Sequence, residues 1–233
     1  MNISFRRSNG HSDASEISAL IAGTGGLGVV GLTRLVADCL GSRFQCVHTE
    51  ETRGIAQRRA PVRAIVRAGR VVRSARLPDG LVDVLLAVEA AEALRATSHV
   101  AEGTVCVLAD LLIPSSGAMS GATSIVSVPR VAAALEARGA QVLVVPVAQW
   151  LRRERLPEML SSTAVFGAAS QLLGCSLEQT EAFLARQLGK RMWEQNWEAM
   201  HIGYAAASAA CLLAEARAVA NVGRDADLDL VAA

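Results

Sequence analysis

At 233 residues, the chain has room for one sizeable α/β domain with added helices. A formal net charge of +1 excludes a global field that would draw it onto nucleic acid or an anionic membrane. Hydrophobic residues make up 52% of the chain but aromatics only 3%, so Ala, Val and Leu supply a surplus that suggests apolar surface buried against a partner.

Basic residues are almost all arginine, with Lys190 the only lysine, and Arg53, Arg58, Arg59, Arg63, Arg67, Arg70, Arg73 and Arg76 crowd one stretch. Such a stretch suits an anionic ligand or neighbour. Cys39, Cys46, Cys106, Cys175 and Cys211 are scattered, without the short repeated spacings of a zinc or iron–sulfur site. They read as small buried hydrophobes in a reducing cytoplasm. The N-terminus lacks the apolar core of a signal peptide, and the longest apolar stretch, Ala205 to Ala214, is too short to span a bilayer.

In chain order, residues 1–16 are polar and aperiodic, the pattern of a flexible lead-in. Ile17 to Ala22 reads as a strand, Gly23 to Gly28 as a glycine turn, and Val29 to Leu40 as a helix. A second strand is expected over Phe44 to His48, then an arginine-bearing loop from Thr49 to Ala60. Pro61 to Arg67 and Arg70 to Arg76 flank Ala68-Gly69 and predict a hairpin with its arginines on the wet face. Asp83 to Val88, Thr104 to Ala109 and Gln141 to Val145 are short apolar runs of the buried parallel kind. Glu89 to Thr97 and Pro129 to Arg138 are the intervening helices, and Pro114 to Thr123, rich in Ser and Gly, reads as a loop or flap. Beyond Pro146 the pattern is helical: Pro157 to Leu173, Leu177 to Leu188 with a Ser176/Gln179 capping box, and Arg191 to about Ala220. The predicted fold is an open, mainly parallel Rossmann-like α/β sheet over 17–150, with helices on both faces, an inserted hairpin, a helical region over 151–220 and a frayed tail over 221–233.

The strand–glycine–helix segment admits two readings. Gly23, Gly25, Gly26 and Gly28 let backbone N–H groups approach a phosphate at a helix N-terminus, or they simply permit a tight turn and close helix–sheet packing. Glu50 and Glu51, about twenty residues on, stand where a dinucleotide-binding protein places its ribose acid. An arginine loop and hairpin where a crossover helix is expected argue against a conventional NAD site. Glu89 and Glu92 suit either acid–base work or helix capping. His48 more often marks a hydrogen-bonded strand end than a ligand contact, and Trp193, Trp197 and Tyr204 read as core or interface aromatics beside His201.

Four stretches carry a family resemblance: Gly23-Thr-Gly-Gly-Leu-Gly-Val-Val30, Glu51-Thr-Arg-Gly-Ile-Ala-Gln-Arg58, Asp83 to Arg95, and Asn196-Trp-Glu-Ala-Met-His-Ile-Gly203. In this order the chain resembles the gamma subunit or domain of the 2-oxoacid:ferredoxin oxidoreductases, above all the small-subunit branch acting on indolepyruvate. It departs from the family at Arg59-Ala60-Pro61, where Gly-Gly-Ser is usual, and at Ser162, where asparagine is usual.

The resemblance implies a subunit inactive alone, docked to a large subunit that binds thiamine diphosphate, Mg and iron–sulfur clusters. It implies an arylpyruvate-type 2-oxo acid, CoA as acyl acceptor, ferredoxin or another acceptor for the electrons, and no metal or catalytic group in this chain. The substrate- and CoA-site candidates are then Gly23, Gly25, Gly26, Gly28, Glu51, Arg53, Gly54, Gln57, Arg58 and Glu89. Arg53, Arg58 and Arg59 offer planar charged forks for carboxylates or for the phosphates of CoA, or for pairing with Glu50 and Glu51. The competing classes are a stand-alone NAD(P) dehydrogenase and a nucleotide-sensing or scaffolding module.

Overall fold

Strand β1 (Glu16–Thr24) is buried from Ile17 onward, as a central strand covered on both faces must be. Ile17, Ala19 and Ile21 enter one core and Leu20 and Ala22 the other. The structure, a computed structural model, describes residues 16–54, 60–113, 126–188 and 192–231. After β1 come α1 (Val29–Gly41), β2 (Cys46–Arg53), β3 (Pro61–Gly69), β4 (Val84–Ala87), α2 (Ala90–Arg95), β5 (Val105–Ala109), α3 (Val128–Glu136), β6 (Gln141–Val145), α4 (Ala148–Arg153), α5 (Leu160–Leu172), α6 (Leu177–Leu188) and α7 (Trp193–Val231).

The six strands lie in the order β2-β3-β1-β4-β5-β6. β1, β4, β5 and β6 are parallel neighbours, whereas β3 pairs antiparallel with both β1 and β2. Helix α1 and the late helices cover one face, and α2 and α3 cover the other. This is the predicted α/β architecture. No described helix is long and apolar enough to cross a membrane.

The hairpin falls elsewhere than expected. Ala68 and Gly69 belong to β3, whose buried alternation of Val62, Ala64, Val66 and Ala68 runs to the end of its ladder with β1, so no turn forms there. The hairpin is β2–β3, and its connection lies between Arg53 and Pro61. β2 accordingly extends through Thr49 to Arg53, where the sequence predicts a loop. Its ladder with β3 makes it a strand, and its outer position lets it be polar. The Arg70 to Arg76 segment is held by Arg67, which donates through Nη1 to the Ser74 and Arg76 carbonyls, both at 2.9 Å, and through Nε to Glu16 at 2.8 Å.

The late helices also carry corrections. Helix α4 has no sequence signal: its first amides, Val147 and Ala148, donate to Asp110 Oδ1 at 2.7 and 2.6 Å, a cap supplied by the end of β5. Helix α7 continues to Val231, so residues 221–231 are helical where the sequence predicts a frayed tail. The Ser176/Gln179 capping box forms as expected, with reciprocal bonds of 2.9 and 3.2 Å. Helix α5 is buried almost throughout, and its Gly167 faces α7, where a Cβ would overlap the Met200 carbonyl; one on Gly203 would overlap that of Ala164. The two helices therefore cross nearly backbone to backbone. Asn196 secures the crossing, accepting from Thr163 at 2.8 Å and donating to the Met192 carbonyl at 2.9 Å. Packing thus accounts for both ends of the Asn196 to Gly203 motif.

Two of the five scattered cysteines are not scattered in space. Cys39 on α1 and Cys175 after α5 bring their sulfurs to 2.6 Å.

A candidate substrate site at the glycine turn

In an open parallel sheet, ligands bind at the carboxyl ends of strands where successive helices leave for opposite faces. Here that point lies between β1 and β4, since α1 covers one face and α2 the other. The glycine turn occupies one lip of the crevice and Glu89 the other. Thr24 Oγ1 bridges them by donating to Glu89 Oε1 at 3.4 Å.

Each glycine has its own role. A Cβ on Gly23 would run into Val88 and, at 2.8 Å, into Val29 Cγ2, so this position exists for close packing. Gly25 donates its N–H to the Ala60 carbonyl at 2.8 Å. Gly26, at φ +97°, has open space where a Cβ would stand. Gly28, at φ +79°, opens α1 and leaves no room for a Cβ, which would lie 2.5 Å from Ser162 Oγ. Of the two readings of this motif, packing explains Gly23 and Gly28. Gly26 is left unexplained by packing and borders open space.

Beside the turn lies a cleft of about 210 Å³ bounded by Thr24 to Leu27, Ile113 and Pro157 to Met159. Sequence reasoning misses Ile113, Pro157 and Met159, which carry no motif. Ser162 stands out in the sequence only as a departure from the family; it packs under Gly28 and donates to the Met159 carbonyl at 2.7 Å. At this size the cleft is smaller than the roughly 300–1,000 Å³ that encloses a whole drug-sized ligand, and its described lining is mostly apolar, with Glu158 its one charged residue.

Glu89 is 1% exposed and caps α2, accepting from Ala91 N at 3.1 Å and Glu92 N at 2.9 Å. Burial raises its pKa from the ordinary carboxylate value, with the Glu92 charge adding to the rise and the backbone donors, Ile113 among them, opposing it. It is thus a cap and also a protonatable group at the crevice.

The arginine loop meets the glycine turn at its root. Gly54 donates to the Pro61 carbonyl at 3.0 Å, closing the hairpin, and Ala60 receives the Gly25 N–H. Gln57, Arg58 and Arg59 lie outside the described residues. Arg53 ends β2 opposite Val62. Arg63 and Arg67 are spent internally, Arg63 donating to the Arg95 carbonyl at 2.9 Å. Glu51 shares edge strand β2 with Arg53; in register with Ala64 and Ile21, it stands two strands from β1, antiparallel to β3. A ribose-binding acid belongs at the carboxyl end of the parallel strand beside β1, and β3 fills that place. His48 is likewise on the exposed edge. His201 and Trp197 both reach Glu181 Oε1 at 3.0 Å, tying α7 to α6.

Fold and site together define a nucleotide-type α/β domain with a small cleft at its switch point, in a topology where β3 takes the place of the strand that carries a dinucleotide-binding acid. The profile of the pyruvate ferredoxin/flavodoxin oxidoreductase family matches residues 18–206, and the chain belongs to that family. Indolepyruvate oxidoreductase subunit IorB of Archaeoglobus fulgidus is 27% identical over 193 residues, covering 81% of this chain and 94% of that one. Among solved structures, the gamma subunit of a keto/oxoacid ferredoxin oxidoreductase from Geobacter sulfurreducens matches 83% of this chain and 99% of its own, with TM-score 0.57 and 16% identity. The 2-oxoglutarate:ferredoxin oxidoreductase of Magnetococcus marinus, solved with 2-oxoglutarate, coenzyme A and succinyl-CoA, matches 84% of this chain and 31% of its own, with TM-score 0.62 and 19% identity. Its fold is the one these solved chains share.

Proposed function

We propose that this chain is a subunit of a cytoplasmic 2-oxoacid:ferredoxin oxidoreductase that converts an arylpyruvate, indolepyruvate in the first instance, to its acyl-CoA. Its glycine turn and the 54–60 loop form the substrate and CoA side of the active site. The observation that carries this reading is the Gly25 N–H bond to Ala60 O at 2.8 Å, which ties the end of the arginine loop to the glycine turn, itself part of the cleft's lining.

The relatives named for indolepyruvate oxidoreductase support the substrate class. A cleft of about 210 Å³ that takes only a fragment of CoA supports a site completed by another subunit. Thiamine diphosphate with Mg, and the iron–sulfur clusters, are assigned to that larger subunit on the family resemblance and on the cysteine spacing. When bound there, they would supply the decarboxylation and the electron path toward ferredoxin. This chain's part is to bind and orient: α1 presents its N-terminal amides to an anion, Glu89 holds Thr24 in place, and Arg58 offers a charged fork.

The test is steady-state kinetics of the co-expressed complex carrying Arg58→Ala. Loss of a charge-assisted hydrogen bond of about 1.5–3 kcal/mol raises the KM for CoA or for the 2-oxo acid roughly ten- to hundredfold with assembly intact. Unchanged kinetics toward CoA and every 2-oxo acid would reject the assignment.

A further inference from the structure

The Cys39–Cys175 pair has no place in the substrate site. Cys39 sits in the last turn of α1 and Cys175 follows the Leu173–Gly174 end of α5, yet their sulfurs lie 2.6 Å apart with the residues 0% and 5% exposed. That is well inside the roughly 3.5–4.0 Å at which non-bonded heavy atoms rest. It also leaves no space for a shared metal ion, since two thiolates on tetrahedral zinc, each at about 2.3 Å, stand roughly 3.7 Å apart.

The surroundings make the two thiols unequal. Arg43 donates to the Leu173 carbonyl, and its Nη1 would lie 3.2 Å from a Cβ on Gly174, so a permanent positive charge covers the turn that leads into Cys175. The hydrogen bond from Cys39 lowers the Cys175 pKa and the Arg43 charge lowers it further, against burial. That hydrogen bond, followed by burial and the neighbouring thiolate, raises Cys39. Tyr204 is the other titratable group at the pair; its hydroxyl donates to the Cys175 carbonyl at 3.2 Å, and burial together with the Cys175 charge raises its pKa. Cys175, beside the turn that Arg43 covers and flanked by exposed Gly174 and Ser176, is the thiol placed to react first, with Cys39 as its proton-sharing partner. Cys106, by contrast, is pushed up to about 12 by burial alone.

We propose that Cys39 and Cys175 are a redox-active dithiol that a hydroperoxide converts to an intramolecular disulfide, riveting the end of α1 to the α5–α6 link. The Cys175 thiolate attacks one peroxide oxygen; the S–O bond forms, the O–O bond breaks, and hydroxide leaves, taking up the Cys39 proton to become water. The Cys39 sulfur then attacks the sulfenic acid, the S–S bond forms, and the S–O bond breaks with loss of hydroxide. That hydroxide takes up the proton gained by the medium when the Cys175 thiol first ionised. The sum is two thiols plus one hydroperoxide to one disulfide and two waters when the oxidant is hydrogen peroxide. The dithiol chemistry is independent of the substrate proposed above.

The experiment treats the purified full-length chain, with any subunit that co-purifies, with hydrogen peroxide. Non-reducing peptide mapping is expected to show one cross-linked pair carrying Cys39 and Cys175, two hydrogens lighter and reversed by dithiothreitol. Closing a loop of this length is expected to raise the melting midpoint by roughly 5–15 °C, and Cys175→Ser is expected to remove both effects. Mapping that finds both thiols free while Cys46 and Cys211 are oxidised would overturn the proposal. So would an equal rise in melting point in Cys175→Ser. Because the mapping uses the natural chain, its outcome does not depend on a variant folding.

Discussion

Gly28→Ala probes the junction on which the candidate site is built. The residue holds φ at +79°, where a side chain costs about 1–2 kcal/mol. Its Cβ would stand 2.5 Å from Ser162 Oγ, 3.2 Å from Ser162 Cβ and 3.5 Å from the Met159 carbonyl, and overpacking of this kind costs about 1–3 kcal/mol. Together these destabilise by about 2–5 kcal/mol, a large part of the roughly 5–15 kcal/mol of a typical domain. Ser162→Ala separates the two effects, because it removes the worst contact but leaves the backbone conformation untouched. Alone it loses the bond to the Met159 carbonyl, worth about 1 kcal/mol. Combined with Gly28→Ala it should recover about 1–2 kcal/mol relative to additivity. Urea unfolding of the four proteins, with midpoints and slopes compared, measures this. A Gly28→Ala midpoint equal to that of the natural chain, or strict additivity with Ser162→Ala, would refute the packing account of α1 against α5.

Glu89 should leave a signature in pH dependence. Its folded pKa is raised, chiefly by burial, so its favourable contribution is complete below the unfolded value of 4.5 and is lost as pH rises through the folded value. Glu89→Gln keeps an oxygen for the Ala91 and Glu92 amides and carries no charge. Its stability relative to the natural chain should therefore improve with rising pH; a difference that stays flat from about pH 4 to about pH 8 would count against the assignment. Arg67→Gln removes the latch on Ser74 and Arg76. Limited trypsin digestion should then cut after Arg70, Arg73 or Arg76 several times faster, with a global loss of about 1–3 kcal/mol. Equal cleavage rates would show that the segment is held by something else.

The buried runs at Ile17, Val84 and Val105, the helix after Gly28 and the Ser176/Gln179 cap are legible because each is a local pattern; the run at Gln141 is a parallel strand as expected, but it is the sheet's other edge and only Val145 is buried. Apolar periodicity reports which faces are covered, and a capping box satisfies its donors within four residues. β2 is legible only in its first half, because an edge strand needs no apolar alternation beyond what one neighbour covers. The hairpin is displaced for a related reason: Gly69 resembles a turn residue, and only the ladder to Glu16 shows that the strand continues to it.

The candidate site divides in the same way. Spacing alone picks out Gly23 to Gly28 and Glu89, since a strand, a glycine turn and a helix start are contiguous. Which glycine packs and which faces the cleft depends on Val88 and Ser162, far away along the chain. Placement of Glu51 away from the turn depends on strand order. The sequence by itself determined the α/β class, the family motifs and the absence of clustered metal spacings, because these are written in neighbouring residues. The meeting of Gly25 with Ala60, of Asp110 with α4, and of Cys39 with Cys175 across 136 residues was decided only by the tertiary structure. Contacts of that separation follow from how the sheet is ordered and how closely the helices pack, and no local pattern encodes either.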